Sequence, residues 1–167
     1  MFLTKRRPDM FESRLDIPAH TRKASIALLQ ARLSDSIDLE AQTKQAHWNV
    51  KGMDFFQLHT FFDGVHAVVE DYVDTIAERI TALGGIADGR VQTTARASTL
   101  YEYPLDARHG ESHLKALSAV LAQFGKALRG DIDAATELGD ADTADLFTQL
   151  SRETDKQLWF VEAHLYD

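Results

Sequence analysis

Proline is confined to positions 8, 18 and 104 of this 167-residue chain, which leaves two proline-free segments of some sixty residues or more. Proline removes a backbone donor and breaks a helix interior, so such segments are free to form long helices. Apolar residues recur in them at helical spacing and not in alternation. The first helix is expected from about Thr21 to Val50, ending at Lys51-Gly52, and the second from about Phe55 to Leu83, ending at Gly84-Gly85. Residues 86–108 lose the pattern, except for a short helical candidate around Arg96–Leu100. A third helix is expected from about Gly110 to Leu138, with kinks considered at Gly125 or Gly130. A fourth runs from about Asp142 to Leu165, capped by Asp140 or Asp142. The expectation is therefore an all-α protein: a four-helix bundle with a short extra helix in the long middle crossover. Residues 1–20 form an N-terminal tail, partly mobile and basic, and residues 21–167 the helical domain.

Composition narrows the function. The formal net charge is −8, which argues against a surface that grips nucleic acid throughout. Zero cysteines exclude disulfides, thiolate metal sites and cysteine nucleophiles. No apolar run is long enough for a signal peptide or membrane span, so a cytoplasmic protein with no membrane partner is expected. The charge is uneven. Residues 1–23 carry +3, from Lys5, Arg6, Arg7, Arg14, Arg22 and Lys23 against three acids, and the remainder carries −11.

The second helix carries the informative residues. His59 and Asp63 are four apart, as are Asp74 and Glu78, so each pair aims two ligands at one point. The eleven residues from Asp63 to Asp74 return to within about 20° of the same face, yet the two pairs stand about 16 Å apart along the axis. One cation cannot bind both pairs of one helix. If the same helix of a second copy packs antiparallel about a two-fold axis near residues 68 and 69, its acidic pair lies beside the first copy's His59 and Asp63. His47, just before the turn, adds a further nitrogen. Imidazole mixed with carboxylate suits iron, with zinc, manganese or cobalt as alternatives. The Glu-x-x-His motifs of an intra-bundle di-iron site are missing from the sequence. The bland alternative is a solvated polar helix face. His66, Glu70 and His164 are candidates for accessory metal binding, zinc among the ions, against an ordinary hydrogen-bonded role. His20, His109 and His113 lie near helix starts and point to no specific chemistry.

The run Gln45-Ala46-His47-Trp48-Asn49-Val50-Lys51-Gly52, followed by Leu58-His59, Phe62-Asp63, Asp74, Ala77-Glu78-Arg79 and Leu83-Gly84-Gly85, resembles the Dps family, the miniature ferritins that protect DNA in starved cells. Asp142-Thr143-Ala144-Asp145 and Leu158-Trp159-Phe160 are similar to the family's last helix. The resemblance implies a ferritin-like bundle assembled as a hollow homo-dodecamer. It also implies ferroxidase ligands at His47, His59, Asp63, Asp74 and Glu78, and oxidation of iron(II), preferably by hydrogen peroxide, with storage of ferric mineral. It suggests Trp48 as an electron donor or radical trap, beside the plainer role of an interface anchor. It places an acidic pore near Asp140, Asp142 and Asp145, Asp145 foremost. The competing expectation is an architectural nucleoid protein that binds DNA irrespective of sequence through basic tails, with Lys5, Arg6, Arg7 and Arg14 as contacts.

Overall fold

The computed structural model describes residues 10–166. Five helices follow one another: α1 (Ala19–Asn49), α2 (Phe55–Ala82), α3 (Val91–Ala97), α4 (Gly110–Glu137) and α5 (Ala141–Ala163). Among the described residues there are no strands, only an isolated backbone bridge between Lys51 and His109. α1 pairs with α2 and α4 with α5, and α1 also packs on α4. This is a ferritin-like four-helix bundle, with α3 as the short helix of the crossover.

Local chemistry accounts for the boundaries. Pro18 sits in extended conformation as the cap of α1, so the helix starts at Ala19, two residues before the expected start. α4 runs unbroken through Gly125 and Gly130. The short helix lies earlier than the expected Arg96–Leu100. The Asp88 carboxylate accepts from the Arg90 N–H and the Thr93 hydroxyl, fastening the start of a turn that ends at Ser98. Asp140 caps α5 by accepting the Thr143 N–H.

Leu58, Phe62, Val65, Val69, Tyr72, Ile76 and Ile80 form the buried stripe of α2. They meet Leu29, Leu33 and Leu39 of α1, Leu117, Leu121, Phe124 and Leu128 of α4, and Phe147, Leu150 and Val161 of α5. Apolar burial at such spacing supplies the main stabilisation of the bundle. The other side of α1 is polar and holds the crossover. Gln30 exchanges hydrogen bonds with the Asp88 backbone at 3.0 and 2.9 Å. Buried Asp35 accepts from the Thr99 N–H and hydroxyl, and the Gln42 amide donates to the Tyr101 carbonyl. Arg32 lies between Asp35, at 2.8 Å, and Asp131 of α4, at 3.0 Å.

Residues 10–18 lie against the end of α2. The Phe11 N–H donates to the Gly84 carbonyl at 2.7 Å, and buried Arg22 donates to the carbonyls of Leu83 and Ile17. Gly84 has φ +91°, and a Cβ there would stand 2.6 Å from the Phe11 carbonyl oxygen. Only glycine meets both requirements.

Candidate metal centre

The turn between α1 and α2, with Gly52 at φ +117°, folds His47 back onto His59. The two imidazoles stack with centroids 3.7 Å apart. Their bonding is reciprocal: His47 Nδ1 lies 2.8 Å from the His59 carbonyl oxygen, and His59 Nδ1 lies 2.8 Å from the His47 carbonyl oxygen. The His47 carbonyl belongs to the last turn of α1, where carbonyls lack helical partners. A carbonyl only accepts, so each Nδ1 carries the proton and each Nε2 presents a lone pair. Metal-ligating histidines are oriented in this way by their second nitrogen.

One turn further along both helices, the Lys44 ammonium pairs with the exposed Asp63 carboxylate. The hydrogen bond from Lys44 holds Asp63 below the usual carboxylate range. His47 Nδ1 is 3.8 Å from the same carboxylate. A turn beyond, His66 Nε2 stands 4.0 Å from Glu40 and its Nδ1 stands 3.4 Å from the Thr43 hydroxyl. Lys44 and Glu40 were not singled out by the sequence as members of the site. Their spacing before His47, three and seven residues, was the available signal.

The structure thus gathers His47, His59 and Asp63 at one end of the α1–α2 pair. It does not bring Asp74 and Glu78 to them; both are exposed near the other end of α2. Among the described residues, no three His, Asp or Glu side chains of one chain converge closely enough to hold a cation. Around the histidine end lies an apolar surface: Trp48 is 66% exposed, Met53 98% and Phe56 73%, with Phe55 tilted against His59 at 5.1 Å. Exposed apolar side chains grouped in this way are a common feature of interaction surfaces.

The remaining candidates separate. Asp140, grouped by the sequence with the pore acids, is instead buried. It accepts from Thr143 N–H and Oγ1–H and pairs with Arg79 at 2.8 Å. Burial favours its neutral form, yet the Thr143 donors and Arg79 hold it below the usual range. A carboxylate committed in this way is not free to line a pore. Asp142 and Asp145 are exposed on the first turns of α5. His164 donates from Nδ1 to the Phe160 carbonyl at 2.7 Å and lies against Phe61, and Glu70 is exposed. Arg14 is exposed, whereas Lys5, Arg6 and Arg7 lie outside the described residues. His20 and His109 are exposed. His113 is fully buried and hydrogen-bonded to Tyr103.

Comparison with known proteins adds the following. The ferritin-like domain family matches residues 26–167. The chain is 40% identical over 152 residues to the DNA protection during starvation protein of Agrobacterium fabrum, which covers 91% of this chain and 94% of that one. Among solved structures it resembles DpsC from Streptomyces coelicolor (TM-score 0.90, 29% identity, covering 95% of this chain and 92% of that one). It also resembles Dps from Microbacterium arborescens in the high iron form (TM-score 0.84, 31% identity, covering 94% of this chain and all of that one).

Proposed function

Because the chain belongs to the Dps family of ferritin-like proteins, we propose that it is a ferroxidase and iron store whose reaction centres form between two copies. In this reading His47, His59 and Asp63 of one copy face Asp74 and Glu78 of the partner subunit across a two-fold axis. Iron(II) is the substrate. Two iron(II) ions supply two electrons, which with two protons cleave one hydrogen peroxide to two waters and leave two iron(III). Taking the electrons as a pair avoids releasing hydroxyl radical. The ferric product is stored as mineral in the cavity of a dodecamer, and the exposed Asp142 and Asp145 attract incoming cations at a pore.

The observation that carries this reading is the reciprocal bond between His47 and His59, which presets two Nε2 lone pairs at the surface. Two nitrogens with carboxylates suit iron(II), and zinc is the natural competitor for the same donors. Lys44 holds Asp63 in place and supplies a positive charge that an arriving cation must displace or tolerate. In this reading Trp48, which is exposed beside His47, anchors the partner and donates an electron. His66 with Glu40, and more remotely Glu70 and His164, remain proposals for accessory cations.

The test is the rate of iron(II) oxidation by peroxide in the wild type and in an Asp74→Ala/Glu78→Ala variant. Loss of most of the rate, with added zinc inhibiting the wild type, is expected; an unchanged rate would refute the site.

A second reading rests on the name of the Agrobacterium relative, which refers to DNA protection. Here the basic residues Lys5, Arg6, Arg7 and Arg14 bind the phosphate backbone irrespective of sequence, and the protein acts in the cytoplasm at the nucleoid. No helix among the described residues is long and apolar enough to cross a membrane. Such binding weakens steeply with salt. A gel shift across salt concentrations with residues 1–14 removed decides it, since undiminished binding excludes the tail.

A further inference from the structure

Tyr103 and His113 are used by nothing in the reaction described above. Tyr103 is 9% exposed in the crossover, and His113 is fully buried in the first turn of α4. The Tyr103 phenol donates to His113 Nδ1 at 2.5 Å, a short hydrogen bond, with the rings 6.0 Å apart and near-parallel. With the phenol as donor, Nδ1 is the acceptor and the imidazole proton sits on buried Nε2, toward the Asn49 backbone.

Burying such a pair is costly where two apolar side chains of similar volume would pack as well. Burial pushes the phenol up from its ordinary range, and it pulls the imidazole down, with the Asn49 backbone acting the other way. Neither group exchanges a proton readily with water. Between themselves the transfer is prepared, and it becomes favourable when the phenol loses an electron, because an oxidised phenol is a strong acid. Proton and electron then leave together, and no bare charge is stranded in the core.

The position suits an electron donor to the candidate centre. The His113 ring lies 6.4 Å from the ring of Phe62, whose neighbour is Asp63, and Asn49 is two residues from His47 through Trp48.

We propose that Tyr103 and His113 form a one-electron donor site that quenches oxidising radicals arising when iron(II) and peroxide react one electron at a time. Hydroxyl radical gains one electron and becomes hydroxide. Tyr103 supplies it, its O–H bond breaks, and the proton passes to His113 Nδ1, which leaves a neutral tyrosyl radical beside an imidazolium. A further iron(II) returns one electron, His113 returns the proton, and the phenol is restored with iron(III) as product. The source of the radical rests on the ferroxidase reading; the redox property of the pair does not.

The test therefore has two arms, both on the full-length assembled protein and both read by electron paramagnetic resonance after freeze-quenching. In the first, metal-free protein is exposed to azide radicals made by pulse radiolysis. In the second, iron(II)-loaded protein receives peroxide. The wild type is expected to give a tyrosyl signal in both arms. Tyr101 and Tyr166 are exposed and oxidised as well, so the proteins are compared in a Tyr101→Phe/Tyr166→Phe background. There Tyr103→Phe, which keeps the ring, should lose the signal. His113→Gln should form it at least about tenfold more slowly, for want of the base. No signal in the azide arm from that background, or an equal signal once Tyr103→Phe is added, overturns the proposal. A signal in the azide arm that Tyr103→Phe abolishes supports it even if iron is not oxidised in the second arm, an outcome that counts against the ferroxidase reading alone. Circular dichroism verifies that each variant is folded, and Tyr103→Phe decides the matter should His113→Gln fail to fold.

Discussion

Replacing Asp140 by alanine removes a helix cap and an ion-pair partner in one step. The carboxylate accepts the Thr143 N–H at 3.1 Å and its hydroxyl at 2.7 Å, and pairs with Arg79 at 2.8 Å. Losing the cap costs about 1 kcal/mol. Stripping one partner from a fully buried ion pair costs about 3–5 kcal/mol. Arg79 keeps 15% of its side chain exposed and has Asp142 at 3.9 Å, so a smaller figure, about 2 kcal/mol, applies. The sum for Asp140→Ala is about 3 kcal/mol. Asp140→Asn keeps the capping oxygen without the charge and should cost about 2 kcal/mol, so the two variants separate cap from ion pair. The assay is urea unfolding at pH 7 and fixed protomer concentration, because association adds to the measured stability. The native carboxyl is held below its unfolded value, so its contribution is present above about pH 4 and is lost as the pH falls through the native value. The gap between wild type and Asp140→Ala should close in acid. A loss under about 0.5 kcal/mol at pH 7, within the range of ordinary surface changes, would refute the reasoning.

Other substitutions probe other contacts. Gly84→Ala places a Cβ against the Phe11 carbonyl at a left-handed φ and should cost about 1–2 kcal/mol. It should also speed hydrogen exchange at the Phe11 amide, and unchanged protection there would show that residues 10–18 are not held by this contact. Asp131 is pushed up to about 6, by burial first and Asp35 second, against the pull of Arg32. Its folded value lies above the unfolded one, so its favourable contribution is complete below about pH 4 and lost as the pH rises through 6. Asp131→Asn should flatten the pH dependence of stability between 4 and 6, and a denaturation series with unaltered slope there would contradict this.

The helices were legible because their punctuation is covalent. Pro18, Gly52, Gly84 and Gly139 fall at helix ends whatever the rest of the chain does. The short crossover helix was misplaced because its start depends on Asp88 reaching Arg90 and Thr93, and on Gln30 of α1 holding Asp88. The candidate stripe of His59, Asp63, Asp74 and Glu78 on α2 follows from helical repeat alone. The stacking of His47 on His59, and the Lys44–Asp63 pair, depend on how α1 lies against α2. Periodicity within one helix does not report that geometry. Asp140 was legible as a cap, while its burial against Arg79 requires α2 and α5 to be adjacent. His113 resembled any polar residue near a helix start until the crossover placed Tyr103 over it.

The two ends of α2 have a consequence for genetics. A chain altered at the histidine end and a chain altered at the acidic end would each be inactive alone, yet each retains the half the other lacks. In the proposed pairing, a mixed dimer of His59→Ala and Asp74→Ala/Glu78→Ala chains contains one wholly wild-type centre and one doubly defective one. Random mixing in equal amounts should restore about a quarter of the centres, counted over two-fold pairs. Two null alleles would then complement each other, whereas one defective allele beside a healthy one would leave about half of the centres active, in simple proportion to the healthy chains, because the acidic end of each altered chain still completes a centre with a healthy histidine end.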